Sequence, residues 1–124
     1  MPYARISLHR GKSADYLQAL SQSLHDALVE RFDVPEEDRF HVIHQHEAGE
    51  LIFDRNYLGG PRSDDYVLIA ITGGKPRDTA TKRRFYRALV ERLEARIGLN
   101  PEDVMVVITT TAADEWSFGG GRGN

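Results

Sequence analysis

The sequence predicts an α/β (α+β) fold: a βαβ unit used twice, its four strands in one mixed sheet with two helices on one face. Three observations predict it. A strand–helix–strand pattern fills about residues 2–50 and returns over about 66–118. Ala27-Leu28-Val29-Glu30-Arg31 recurs as Ala88-Leu89-Val90-Glu91-Arg92 at the same point of the second unit, and Asp38 and Asp103 hold matching places before their strands. Finally, Val67 to Ile71 and Val104 to Ile108 are continuously apolar, the pattern of strands buried on both faces. Two helices cover one face of such a sheet, so other copies of the chain are expected to cover the second, with the sheets packed inward.

The elements follow in order. Ala4, Ile6 and Leu8 alternate with more polar neighbours and predict a first strand over Tyr3 to Leu8. His9 to Ser13 breaks it; Ser13 suits a helix N-cap, with Asp15 in the first turn where a carboxylate favours the dipole. Leu17, Leu20, Leu24, Ala27, Leu28 and Phe32 keep helical spacing, and Pro35 with Glu36-Glu37-Asp38 closes the helix. Phe40 to Gln45 reads as the second strand, and Glu50 to Phe53 as a short additional one. Asn56 to Asp65 reads as a loop. Tyr66 to Thr72 is the strongest strand. After the turn Gly73-Gly74-Lys75-Pro76-Arg77, Asp78 or Thr79 caps a helix carrying Phe85, Leu89, Leu93 and Ile97, and Gly98 ends it. Val104 to Thr110 is the last strand. Each unit is a right-handed crossover with parallel strands.

Bulk properties narrow the function classes. The 124 residues suffice for a single domain, 1–124, with a real core. A formal net charge of −3 gives no nucleic-acid footprint. The absence of cysteine excludes disulfides, thiolate zinc sites and a cysteine nucleophile. No apolar run approaches the roughly 18 residues of a membrane helix, and the start does not read as a secretory signal, so a cytoplasmic location is expected.

Pro2 directly after the initiator joins this doubled unit to four further segments: Val34-Pro35-Glu36-Glu37-Asp38-Arg39-Phe40, Gln45-His46-Glu47-Ala48-Gly49-Glu50, Lys75-Pro76-Arg77 and Asp114-Glu115-Trp116-Ser117-Phe118-Gly119. Together they resemble the tautomerase superfamily, and within it most closely the malonate semialdehyde decarboxylase branch, over nearly the whole chain. The resemblance implies a homotrimer, no cofactor, and a small carboxylate substrate. It implies an active site of the amino-terminal proline, the aspartate before the second strand and an arginine after the third, here Pro2, Asp38 and Arg77. The decarboxylase pattern has a second arginine where this chain has Lys75, which keeps the charge but lacks the planar bidentate fork. Trp116 and Phe118 become pocket wall, or subunit interface, and His46 a further substrate contact.

Topology supports the grouping. If the units pack about a pseudo-twofold axis with their first strands antiparallel neighbours, the start of strand one lies beside the end of strand three. Pro2, Asp38, Lys75, Arg77 and the segment through Trp116 and Phe118 then meet at one end of the sheet.

The chemistry follows from a secondary amine, which exists at Pro2 once Met1 is removed; with Met1 attached the nitrogen is an amide without basicity. Burial and nearby cations favour the neutral amine, a general base for moving a proton between an enol oxygen and a carbon. Asp38 favours the cation, a general acid that polarises a carbonyl during loss of carbon dioxide from a 3-oxo acid. An iminium with the substrate carbonyl is a third route. The other function class is a non-catalytic trimeric binding or structural protein. His41, His44 and His46 raise a metal hypothesis, but His41 points away from the other two and no third ligand is apparent, so no metal is expected. The Gly119 to Gly123 tail reads as a flexible end, and the basic side of the second helix as a solvated face.

Overall fold

The computed structural model describes residues 2–123. Strand β1 (Pro2–His9) leads into helix α1 (Ala14–Arg31) and strand β2 (His41–His46); strand β3 (Val67–Gly73), helix α2 (Thr79–Ile97) and strand β4 (Val104–Thr110) repeat the sequence. Short 3-10 turns precede β4 at Pro101–Asp103 and follow it at Ala113–Glu115. The sheet order is β2-β1-β3-β4. The outer pairs are parallel and the central β1–β3 pair is antiparallel, with Pro2 opposite Gly73 and Leu8 opposite Val67.

Local chemistry sets the helix ends. The Ser13 side chain accepts the Tyr16 N–H, and Asp78 accepts the Thr81 N–H. Gly98 terminates α2 at φ 65°, the left-handed conformation glycine adopts without a side-chain penalty. Helix α1 stops at Arg31, before the Pro35 stop signal. Asp33 takes the left-handed conformation there, at φ 54°. The two ends are built alike: Val34 N–H reaches Leu28 O, and Leu99 N–H reaches Leu93 O, each at 3.3 Å. Asp33 thus occupies the place that glycine holds in the second unit.

Both helices lie on one face of the sheet. Ala4, Ile6 and Leu8 of β1 and Val67, Ile69 and Ile71 of β3 meet Leu20, Leu24 and Leu28 of α1 and Phe85, Leu89 and Leu93 of α2, all buried. Phe32 packs on Phe85 with ring centroids 5.0 Å apart. The helices are also tied to each other: Arg92 pairs with Glu30 and Arg96 with Asp26. The opposite sheet face is uncovered in the single chain, and Met105 and Val107 of β4 are each 47% exposed on it.

The expected strand at Glu50 to Phe53 does not form; the chain turns there instead. Phe53 leaves sheet geometry to stack on Tyr66 at 4.1 Å between centroids. The Glu50 N–H closes a turn onto Glu47 O at 3.1 Å in place of a strand ladder. Among the described residues, no helix is long and apolar enough to cross a membrane.

Candidate active site

The first residue of β1 and the end of β3 form the floor of the site. Pro2 is buried and stands opposite Gly73. A Cβ placed on Gly73 would lie 3.6 Å from Arg77 Nη1 and 4.0 Å from Pro2 Cβ. The guanidinium and the proline ring therefore converge over one glycine, and glycine leaves the space between them open.

Arg77 is held on three sides. Its Nε donates to Phe32 O at 3.1 Å and its Nη1 to Lys75 O at 2.7 Å. The guanidinium carbon sits 4.3 Å from the centroid of the Phe32 ring, a cation–π contact. Burial lowers its pKa from the usual arginine value, and the carboxylates of Asp33 and Asp38 act in the opposite direction. Nη2 makes no hydrogen bond among the described residues, so one arm of the fork is available to an anion.

Asp38 lies in the turn before β2, where its N–H donates to Pro35 O at 3.1 Å. Two residues later Phe40 O accepts the Ala4 N–H at 2.9 Å, which ties this turn to the start of β1. Asp38 is half-buried. Lys75 is more exposed and its Nζ donates to Asp33 Oδ2 at 2.5 Å. That pairing also holds the Asp33 carboxyl below its ordinary range, first through the hydrogen bond and then through charge.

The end of β4 closes the other flank. Thr111 N–H donates to Gly73 O at 2.9 Å, and Trp116 Nε1 donates to Thr111 Oγ1 at 2.7 Å. The indole is thereby fixed, through Thr111, to the residue opposite Pro2. Trp116 and Phe118 stack 5.5 Å apart and, with Tyr3, Phe40 and Val42, line an apolar recess of about 410 Å³. His41 also lines it. Its Nδ1 bonds Ser21 Oγ at 2.7 Å, and burial, with Arg39 and His25 nearby, lowers its pKa to about 4, so it is neutral at neutral pH.

The structure thus gathers Pro2, Asp38, Lys75, Arg77, Trp116 and Phe118 at one end of the sheet. It does not bring His46 there. His46 pairs with His9, at the opposite end of β1, about 23 Å along the strand from Pro2 by strand rise. Parallel pairing of β2 with β1 is the physical reason: the start of β2 meets the start of β1, so the end of β2 must leave the site. His44 and His46 share the open face with rings 6.4 Å apart, while His41 turns to Ser21. Met1 lies outside the described residues.

Sequence reasoning missed Asp33, Phe32 as the arginine's seat, and Thr111 as the bridge to Trp116. For Asp33 a signal existed, because the spacing that relates Asp38 to Asp103 also relates Asp33 to Gly98.

Comparison with known proteins gives a consistent result. Two family models, each described as tautomerase enzyme, match residues 38–119 and 2–60. The chain is 37% identical over 98% of its length to the probable tautomerase YusQ of Bacillus subtilis (strain 168), covering 96% of that protein. A crystal structure of malonate semialdehyde decarboxylase, described as the basis for its decarboxylase and hydratase activities, superposes with a TM-score of 0.91. It is 33% identical, with 97% of this chain and 92% of that one covered. FG41 malonate semialdehyde decarboxylase inhibited by 3-bromopropiolate superposes at 0.89, with 36% identity over 97% of this chain and 91% of that one.

Proposed function

This chain belongs to the tautomerase superfamily, and from that premise we propose that it uses the amine of Pro2, freed by removal of Met1, on small 2-oxo or 3-oxo carboxylic acids. The observation that carries the reading is the convergence of Pro2 and the Arg77 guanidinium over Gly73. An acid whose carboxylate takes the free arm of Arg77 presents its carbonyl or enol carbon toward the proline nitrogen. Holding the substrate this way converts proton transfer into a step within one complex.

Two reactions fit the arrangement. In enol–keto tautomerisation the neutral amine takes the enol O–H proton and the carbon two atoms away receives a proton. In decarboxylation of malonate semialdehyde the protonated amine donates a hydrogen bond to the aldehyde oxygen. The bond to the carboxylate breaks, its electron pair moves to the enolate, carbon dioxide leaves, and protonation at carbon gives acetaldehyde. The likeness to two malonate semialdehyde decarboxylases supports the second reaction, and the name of the Bacillus relative supports the first. The apolar recess offers an uncharged substrate tail an aromatic wall.

The working assembly in this reading is a homotrimer. The sheet face opposite the helices, with Met105 and Val107 exposed on it, supports an inward-packed oligomer.

Arg77→Ala tests the carboxylate anchor. Loss of a charged hydrogen bond in a partly buried site is expected to lower kcat/KM for a 3-oxo acid by about 2 kcal/mol or more, roughly 30-fold. An unchanged kcat/KM removes Arg77 from the site.

A further inference from the structure

Resting on the reading above, we infer that Asp33 is a specificity-determining residue that restricts the site to acids with one carboxylate and an uncharged remainder. It does so by neutralising Lys75 and by repelling a second substrate carboxylate.

The first argument is backbone placement. Asp33 stands in the left-handed region at φ 54°, between Phe32 and Val34, which are 2% and 4% exposed. The same helix end in the second unit carries Gly98 at φ 65°. Glycine is the low-cost residue for this conformation, and aspartate is tolerated in it with some strain. The flanking buried side chains fix the backbone, so the carboxylate, though itself exposed, is kept close to Lys75 and acts on Arg77.

The second argument is charge. Lys75 Nζ is 2.5 Å from Asp33 Oδ2. The two cations of the turn after β3 are then accounted for. Arg77 receives the first carboxylate and Lys75 is paired with Asp33. The recess at the same end of the sheet is lined by Tyr3, Phe40, Val42, Trp116 and Phe118, with His41 neutral. A second carboxylate that reaches Lys75 finds it already paired, and the charges of Asp33 and Asp38, which act on Arg77, oppose it. An uncharged tail has the aromatic wall to lie against.

The test uses two enols that undergo the same tautomerisation and differ in the tail: the enol of phenylpyruvate and the enol of oxaloacetate, each followed by loss of enol absorbance. Wild type, Asp33→Asn and Asp33→Gly are compared; both replacements tolerate the left-handed backbone, so the fold is preserved. The wild type is expected to favour the phenylpyruvate enol. Both variants are expected to lower KM for the oxaloacetate enol about fivefold relative to KM for the phenylpyruvate enol, the upper range for one exposed charge pair. That gain is expected to shrink in 0.5 M sodium chloride, because the charges are exposed to screening. It is also expected to shrink when Lys75→Ala is added, leaving only the part that comes from relieved repulsion by Asp33. A KM ratio that stays at the wild-type value in both variants overturns the inference and leaves the tautomerase reading intact. Failure of the wild type to convert either enol overturns the tautomerisation part of that reading, and the inference with it.

Discussion

Asp38 and Asp103 occupy equivalent places in the two units, yet their surroundings assign them different work. Asp103 is 2% exposed and accepts both the Ser63 N–H and the Ser63 hydroxyl at 2.6 Å. It fastens the loop before β3 to the turn before β4. Asp38 is half-buried and acts on Arg77. Asp103→Ala is therefore expected to cost about 3 kcal/mol of stability, since two bonds to a buried carboxylate are lost. Denaturant unfolding measures that cost, while kcat/KM of the folded fraction is expected to stay near wild type. Pro2, Asp38, Arg77 and Trp116 were legible in the sequence because strand direction alone brings their segments to one end. Thr111 and Phe32 were not, because one acts through a hydrogen-bonded bridge and the other through a backbone carbonyl. His46 was misplaced although the pairing rule that excludes it was already available: a parallel second strand starts at the site and ends away from it.

At the scale of elements, periodicity located both helices and all four strands to within a residue or two. The end of α1 escaped it. Phe32 continues the apolar spacing and is buried, but the chain has already left the helix and Asp33 has reversed its course. Proline and acidic residues downstream gave a stop signal that the structure reaches only after the turn. The junction of α1 with β2 holds a titratable contact. His41, bonded to Ser21 on α1, has its folded pKa lowered to about 4, below its unfolded value of 6.5. The unfolded chain thus binds the proton more readily. Stability from this group is complete above about pH 6.5 and is lost as pH falls toward 4. Thermal unfolding between pH 7 and pH 4.5 is expected to show a fall in Tm that His41→Gln reduces. An identical pH dependence in the variant would remove His41 as its source.

The whole molecule is a one-sided layer of two helices on a four-stranded sheet. The sequence carried the need for a second cover in the unbroken apolar runs of β3 and β4. It could not show which side chains meet that cover, because alternation is hidden where both faces are apolar. The structure separates them: Val67, Ile69 and Ile71 face the helices, while Met105 and Val107 remain exposed on the other side. Val107→Lys places a charge on the edge strand of that face, away from the helix-side core. Sedimentation velocity is expected to show a trimer for wild type and a smaller species for the variant; a wild type that sediments as a stable monomer refutes the inward-packed assembly. The central claim concerns Pro2 and is tested most directly by a proton NMR time course with malonate semialdehyde and with an enol 2-oxo acid. Wild type is compared with Pro2→Ala, in preparations whose intact mass shows Met1 removed. Wild type is expected to convert at least one substrate, and kcat/KM in Pro2→Ala to fall by at least about 100-fold, the lower range for a lost general acid or base. Equal rates for the two proteins, or full activity in a preparation that retains Met1 throughout, would contradict the claim.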